Sequence, residues 1–147
     1  MERKQKRQKY QLKISSITEN LEIIREFIRN LAINAGFNDE ISDQIVLAVD
    51  EACTNVIKHA HHYDARRLIE LSVFIDKEKM KIIITDKGKG FDIQSLPRPD
   101  IKKYVHESKS GGLGIHLMRS LMDEVSFSFQ PLKKNQVELV KYFRKSA

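Results

Sequence analysis

Three stretches hold residue types that could do chemistry. At Asp86-Lys87-Gly88-Lys89-Gly90-Phe91-Asp92 a carboxylate closes the run Ile82-Ile83-Ile84-Thr85, and two glycines follow at alternate positions. Such glycines let the backbone turn tightly and approach a ligand where a Cβ would collide. Upstream, Glu51 and Asn55 stand four residues apart, which on a helix sets a carboxylate and an amide one above the other. Downstream, Gly111-Gly112-Leu113-Gly114 precedes a segment, 115–122, with helical apolar spacing. Glycines at a helix start free backbone amides to point at an anion, and the helix dipole adds attraction. A carboxylate for a base, a polar pair for a metal and a glycine turn for phosphates are the parts of a nucleotide site. Each stretch alone has a blander reading, as an exposed polar pair or an ordinary glycine turn.

The cluster His59, His61, His62 with Cys53 upstream invites a zinc reading, but its spacing fits no strong ligand pattern. The expectation is a set of helix-end histidines near the negative end of the dipole, with His59, four residues beyond Asn55, bordering the site. Cys53 falls in an apolar helical pattern, where a lone cysteine packs as a small hydrophobe.

The elements that must position these residues follow from periodicity. Alternation of Tyr10, Leu12 and Ile14 predicts a short strand over 10–14. Ser15 or Ser16 is expected to cap a helix carrying Leu21, Ile24, Phe27, Ile28 and Leu31, and Gly36 to stop it. Asn38 or Asp39 starts a second helix, in which Ile41, Ile45, Ala48, Ala52 and Val56 form the buried stripe and Glu51 and Asn55 the neighbouring face. Residues 68–76 and 80–85 alternate as a hairpin around Asp76-Lys77-Glu78-Lys79, which delivers Asp86 to a sheet end. Periodicity is lost over 91–110, with Pro97, Pro99, Lys102, Lys103 and Lys109; so long a loop in a compact domain reads as a lid. A final hairpin is predicted over 125–129 and 137–143. The fold class expected is α+β: a two-layer sandwich of a mixed, mostly antiparallel sheet with helices on one face.

The chain of 147 residues is long enough for one domain with a real core, and its 41% hydrophobic and 31% charged residues are those of an ordinary globular protein. No apolar run is long enough to span a bilayer and no apolar signal core follows the basic start, so a cytoplasmic address without membrane contact is expected. The formal charge of +6 is concentrated in a basic arm over 1–9, with Arg3, Lys4, Lys6, Arg7 and Lys9, ahead of a domain over 10–145. Such an arm is most simply a solvated tail, and with no nucleic-acid module in the sequence direct nucleic-acid binding is not expected.

Taken in order, these stretches resemble the GHKL ATP-binding superfamily of gyrase, the chaperone and mismatch-repair ATPases and the histidine kinases. Glu51-Ala52-Cys53-Thr54-Asn55 is similar to its N box, Asp86-Lys87-Gly88-Lys89-Gly90 to its first glycine box and Gly111-Gly112-Leu113-Gly114 to its second. Within it the chain is most similar to the anti-sigma-factor serine/threonine kinases that work by partner switching, through residues 49–60, Gly90-Phe91-Asp92 with Leu96-Pro97, and Gly112-Leu113-Gly114-Ile115 running on to Leu121-Met122-Asp123-Glu124-Val125.

The resemblance implies ATP and Mg²⁺. It makes Glu51 the general base, Asn55 the Mg²⁺ ligand and Asp86 the acceptor of the adenine amino group. Gly88 and Gly90 would pass close to the nucleotide, Gly111, Gly112, Leu113 and Gly114 would wrap the phosphates, and Lys109 would touch them from the lid. A carboxylate at Asp86 suits the adenine amino donor and opposes the keto oxygen of guanine. It also implies a STAS-domain anti-anti-sigma protein as phosphoacceptor, a sigma factor as the protein held, and a homodimer. Two departures stand out: Lys109-Ser110 where some of these kinases carry arginine, and Asn135-Gln136 in place of the Gly-Thr that often opens the last strand, from which no adenine-side contact is assigned. With no phosphoacceptor histidine domain or membrane sensor ahead of the module, a complete histidine kinase is not expected. The alternative to a kinase is a module that binds ATP and a partner but transfers nothing.

Overall fold

Alternation along the strands decides which side chains turn inward. The computed structural model describes residues 7–86, 111–130 and 134–144, with the backbone alone for 111–113. Its strands are β1 (Gln8–Ser15), β2 (Leu68–Ile75), β3 (Lys79–Asp86), β4 (Glu124–Gln130) and β5 (Lys134–Tyr142). They form one sheet in the order β1-β2-β3-β5-β4, antiparallel at each pairing. Leu71 pairs with Ile84, which pairs with Val137, and Val73 pairs with Ile82, which pairs with Leu139; all six are buried. Those rows are the inner face of the sheet.

The helices α1 (Leu21–Ala35), α2 (Asp39–Asn55) and α3 (Gly111–Leu121) bury Ile24, Ile28 and Ala32, Ile45, Ala48, Val49 and Ala52, and Ile115 and Met118 in the same core. Each large apolar side chain so buried stabilises the fold by roughly 1.5–3 kcal/mol. Among the described residues no helix is long and apolar enough to cross a membrane.

The connections follow local chemistry. Gly36 ends α1 with φ 113°, the left-handed conformation that costs any residue with a Cβ. Asn38 is the cap of α2, its side chain accepting from the Ile41 amide at 2.8 Å. Arg25 pairs with Asp50 at 2.7 Å and Arg29 with Asp43, tying α1 to α2. Asp76 accepts from the amides of Glu78 and Lys79 at 2.7 and 2.9 Å, which closes the β2–β3 hairpin. At the far end of the inner face Lys141, 6% exposed, donates to the Leu121 carbonyl at 2.7 Å and so satisfies the C-terminus of α3.

The start of the chain differs from its sequence reading. β1 takes in Gln8 and Lys9 of the basic arm, and Arg7 and Lys9 lie 4.3 and 5.5 Å from the Phe74 ring centre. Neither Ser15 nor Ser16 caps a helix. The chain instead makes a 3-10 turn over Thr18–Asn20, and the Ser15 carbonyl accepts from the Asn20 side chain at 2.9 Å. The Ser16 hydroxyl is engaged elsewhere, with His61.

Candidate active site

The last turns of α2 carry Glu51 and Asn55 toward the first turn of α3. A Cβ placed on Gly114 would lie 2.7 Å from Glu51 Oε2 and 3.8 Å from Asn55 Nδ2. Only glycine allows that approach without moving the carboxylate. Asn55 is 3% exposed and, among the described residues, its Nδ2 has no hydrogen-bond partner. A buried amide left so costs about 1–3 kcal/mol, a cost that a ligand oxygen would offset. Which end of an amide is oxygen follows from its partners: an Asn55 oxygen would meet a cation, its nitrogen a phosphate oxygen. Carboxylate, carbonyl-type oxygen and substrate phosphates are the donor set that Mg²⁺ prefers, so these residues fit that ion.

Beyond Asn55 the helix widens into a π turn, Val56–Ala60, of the kind that gathers at functional sites. His62 and Tyr63 then adopt φ of 48° and 61°, uncommon for side-chain-bearing residues. Between the two, His61 is sent inward, 4% exposed, with Nδ1 2.8 Å from Ser16 Oγ. His61 is thus a helix-end histidine as expected, the cap of the π turn, and it is also a core residue. Its Nε2 lies 4.0 Å from Asp86 Oδ1. Among the described residues no three His, Cys, Asp or Glu side chains gather as a metal cluster. Cys53 is buried, and burial, with Asp50 adding to it, pushes its thiol pKa far up, so it stays protonated.

Asp86 is the last residue of β3 and occupies an inner-face position, in the row Ile69, Asp86, Asn135, Phe129. Alternation that places Ile82 and Ile84 in the core thus places a carboxylate, 5% exposed, at the end of the same face. Asn135 donates to Asp86 Oδ1 at 3.4 Å and Gln136 to Thr85 Oγ1 at 3.2 Å. A pocket here has Val56, Ile84, Phe127, Phe129 and Val137 as apolar wall and Asp86, Asn135 and Gln136 as polar groups. Among the described residues the pocket is small, about 20 Å³, with one carboxylate acceptor beside its apolar wall.

The residues singled out from the sequence are thus partly joined. Glu51, Asn55 and Gly114 meet, and Val56, which follows Asn55, lines the pocket that holds Asp86. Gly111, Gly112 and Leu113 form the first turn of α3. Gly88, Gly90, Lys109 and the segment 91–110 lie outside the described residues. Asn135, Gln136, Phe127 and Phe129 line the pocket with Asp86 and are not among the residues singled out from the sequence. The alternation of the last hairpin carries the signal for the phenylalanines, while Asn135-Gln136 departs from the Gly-Thr that would have pointed to this position.

A family model described as the histidine kinase-like ATPase domain matches residues 14–141. The chain belongs to that family. Among curated relatives, the serine-protein kinase RsbW of Halalkalibacterium halodurans is 34% identical over 119 residues, covering 78% of this chain and 72% of that one. The protein of the same name from Bacillus subtilis is 33% identical over 121 residues, with 78% and 74% covered. Two solved structures share the fold at 13% identity. The RsbU and RsbW domains of Rv1364c from Mycobacterium tuberculosis give a TM-score of 0.67 over 95% of this chain and 34% of that one. The SiaB-SiaC complex from Pseudomonas aeruginosa gives 0.63 over 89% and 88%. The antiparallel sheet with its helices is therefore the histidine kinase-like ATPase fold.

Proposed function

We propose that this histidine kinase-like ATPase domain is an Mg-ATP-dependent serine/threonine protein kinase that acts as an anti-sigma factor. It phosphorylates a STAS-type anti-anti-sigma partner and holds a sigma factor while that antagonist is phosphorylated. The kinship with serine-protein kinases supports the activity, and the meeting of Glu51, Asn55 and Gly114 is the observation that carries the mechanism.

Asp86, beside the apolar wall of its pocket, accepts the adenine amino proton. Asn55 would hold Mg²⁺ through its amide oxygen, and the ion, when bound, would neutralise charge on the phosphates. The amides of the first α3 turn, 111–114, face the phosphates from a helix N-terminus. Gly88, Gly90 and Lys109 lie outside the described residues; by the resemblance, the two glycines would pass close to the nucleotide and Lys109 would add charge beside the phosphates. Glu51 takes the proton of the substrate hydroxyl as that oxygen bonds the γ-phosphorus and the β–γ bridge breaks, releasing ADP and leaving a phosphoserine or phosphothreonine. Homodimerisation and a cytoplasmic address belong to the same reading.

The test is transfer of label from γ-labelled ATP to the STAS-type partner by wild type and Glu51→Ala, with ATP binding measured separately. Glu51→Ala is expected to bind ATP and to lose transfer at least ~100-fold. If wild type and variant both bind ATP and neither transfers, the chain is a nucleotide-dependent binding module and not a kinase.

A further inference from the structure

Helix α2 carries Asp43, Leu47, Asp50 and Glu51 at steps of three and four residues, which sets them along one stripe of its surface. Leu47 is 44% exposed, and among the described residues it is the only large apolar side chain exposed on that helix. A single exposed leucine is ordinary on a protein surface; the neighbours of this one set it apart. Asp43 pairs with Arg29, and Asp50 with Arg25 at 2.7 Å, so an ion pair to α1 stands on either side of Leu47 along the helix. The charges cancel within each pair. What remains is an apolar spot framed by polar groups of no net charge.

Its distance from Glu51 gives that spot a use. Four residues of helix are about 6 Å along the axis, and helical side chains lean toward the N-terminus, so Glu51 leans toward Leu47. A contact of standard size covers about 800 Å² on each partner, a disc of roughly 16 Å radius. A protein that delivers a hydroxyl to Glu51 therefore covers Leu47 as well, close to the centre of the contact. There the side chains that carry binding energy gather, inside a polar ring that keeps water out.

We propose that Leu47 is the apolar anchor of the surface on which the phosphoacceptor protein docks, with the Arg25–Asp50 and Arg29–Asp43 pairs as its rim. The partner that fits presents an apolar side chain about 6 Å from its acceptor serine or threonine, the spacing of one helical turn, with polar groups around it. A wholly polar surface at that point would cover Leu47 without gain. The proposal rests on the reading of Glu51 as the base that serves a protein substrate.

Initial rates of label transfer from γ-labelled ATP, with the STAS-type partner varied, give KM and kcat, and calorimetry gives the ATP affinity. Leu47→Ala suits an exposed helix position. Its KM for the partner is expected to rise about tenfold, with kcat and ATP affinity each within about twofold of wild type. Leu47→Met, which restores apolar surface, should bring KM back to within about threefold. Leu47→Gln, polar and of similar length, should raise KM at least as much as alanine and decides the matter if Leu47→Ala does not fold. The control is Leu68, exposed on β2, where alternation with the buried Ile69 puts it on the sheet face away from the helices; Leu68→Ala should leave KM unchanged. An unchanged KM in the Leu47 variants overturns the proposal, as does an equal rise in Leu68→Ala, a Leu47→Met no better than Leu47→Ala, or a loss that falls on kcat or ATP affinity instead. In each of those cases a wild type that transfers label keeps the kinase reading intact. A wild type that binds ATP and transfers none removes that reading and the proposal with it.

Discussion

Replacing Gly114 with alanine should move stability and activity in opposite directions. Gly114 lies in α3 without a left-handed φ, so alanine suits its backbone, and the exchange in a helix gains up to ~1 kcal/mol. The new Cβ would sit 2.7 Å from Glu51 Oε2, so the carboxylate must retreat by at least about 0.7 Å to reach the 3.4 Å of ordinary contact. The atom that must give is the far end of a flexible side chain, so the retreat costs little in folding. The same retreat takes the proposed general base out of hydrogen-bond reach of the hydroxyl, and a misplacement of that size costs roughly 10–100-fold in rate. Gly114→Ala is therefore expected to melt at or above the wild-type temperature while transfer of label to the partner falls by that factor. The checks are differential scanning calorimetry and single-turnover transfer at saturating ATP. A folded variant that transfers at the wild-type rate refutes the placement of Glu51 as base against this turn. A variant that loses stability along with activity refutes the claim that only the carboxylate is in the way.

Two further outcomes follow from the fold. Asn38→Ala removes the side-chain acceptor from the first turn of α2 and should cost about 1 kcal/mol, seen as a lower urea midpoint with unchanged slope. His61 has a folded pKa near 4 against an ordinary 6.5, so it contributes stability fully above pH 6.5. As pH falls from there toward 4, the unfolded chain takes up a proton that the folded chain refuses, and stability declines by on the order of 1–3 kcal/mol. Urea titrations from pH 7 to pH 4 should show this loss in wild type and a smaller one in His61→Gln. Equal losses in the two would remove His61 as the cause.

What the sequence made legible was whatever depends on spacing within one element. Strand alternation over Ile82, Ile84 and Asp86 puts the carboxylate on the core side, the four-residue step from Glu51 to Asn55 puts both on one helix face, and Gly36 and Asn38 mark the break between α1 and α2. Contacts that need the chain to come back on itself were not legible. Ser16 and His61 are 45 residues apart, and their meeting depends on a π turn and two left-handed residues that no periodicity announces. Asn135 reaches Asp86 only because β5 inserts between β3 and β4, a strand order that the linear sequence does not declare. Ser15 and Ser16 looked like caps because serine favours that position; the deeper partner won for Ser16.

Convergence of Asn55, Asp86 and the turn 111–114 on one nucleotide is tested most directly by calorimetry of wild type, Asn55→Ala and Asp86→Asn with Mg-ATP and Mg-GTP. Wild type should bind one ATP per chain and prefer it to GTP, Asn55→Ala should lose the dependence on Mg²⁺, and Asp86→Asn, whose amide can donate to the guanine keto oxygen, should lose most of the base preference. A wild type that takes up no ATP with magnesium present, or a pair of variants that keep both the ion dependence and the preference for adenine, would contradict it.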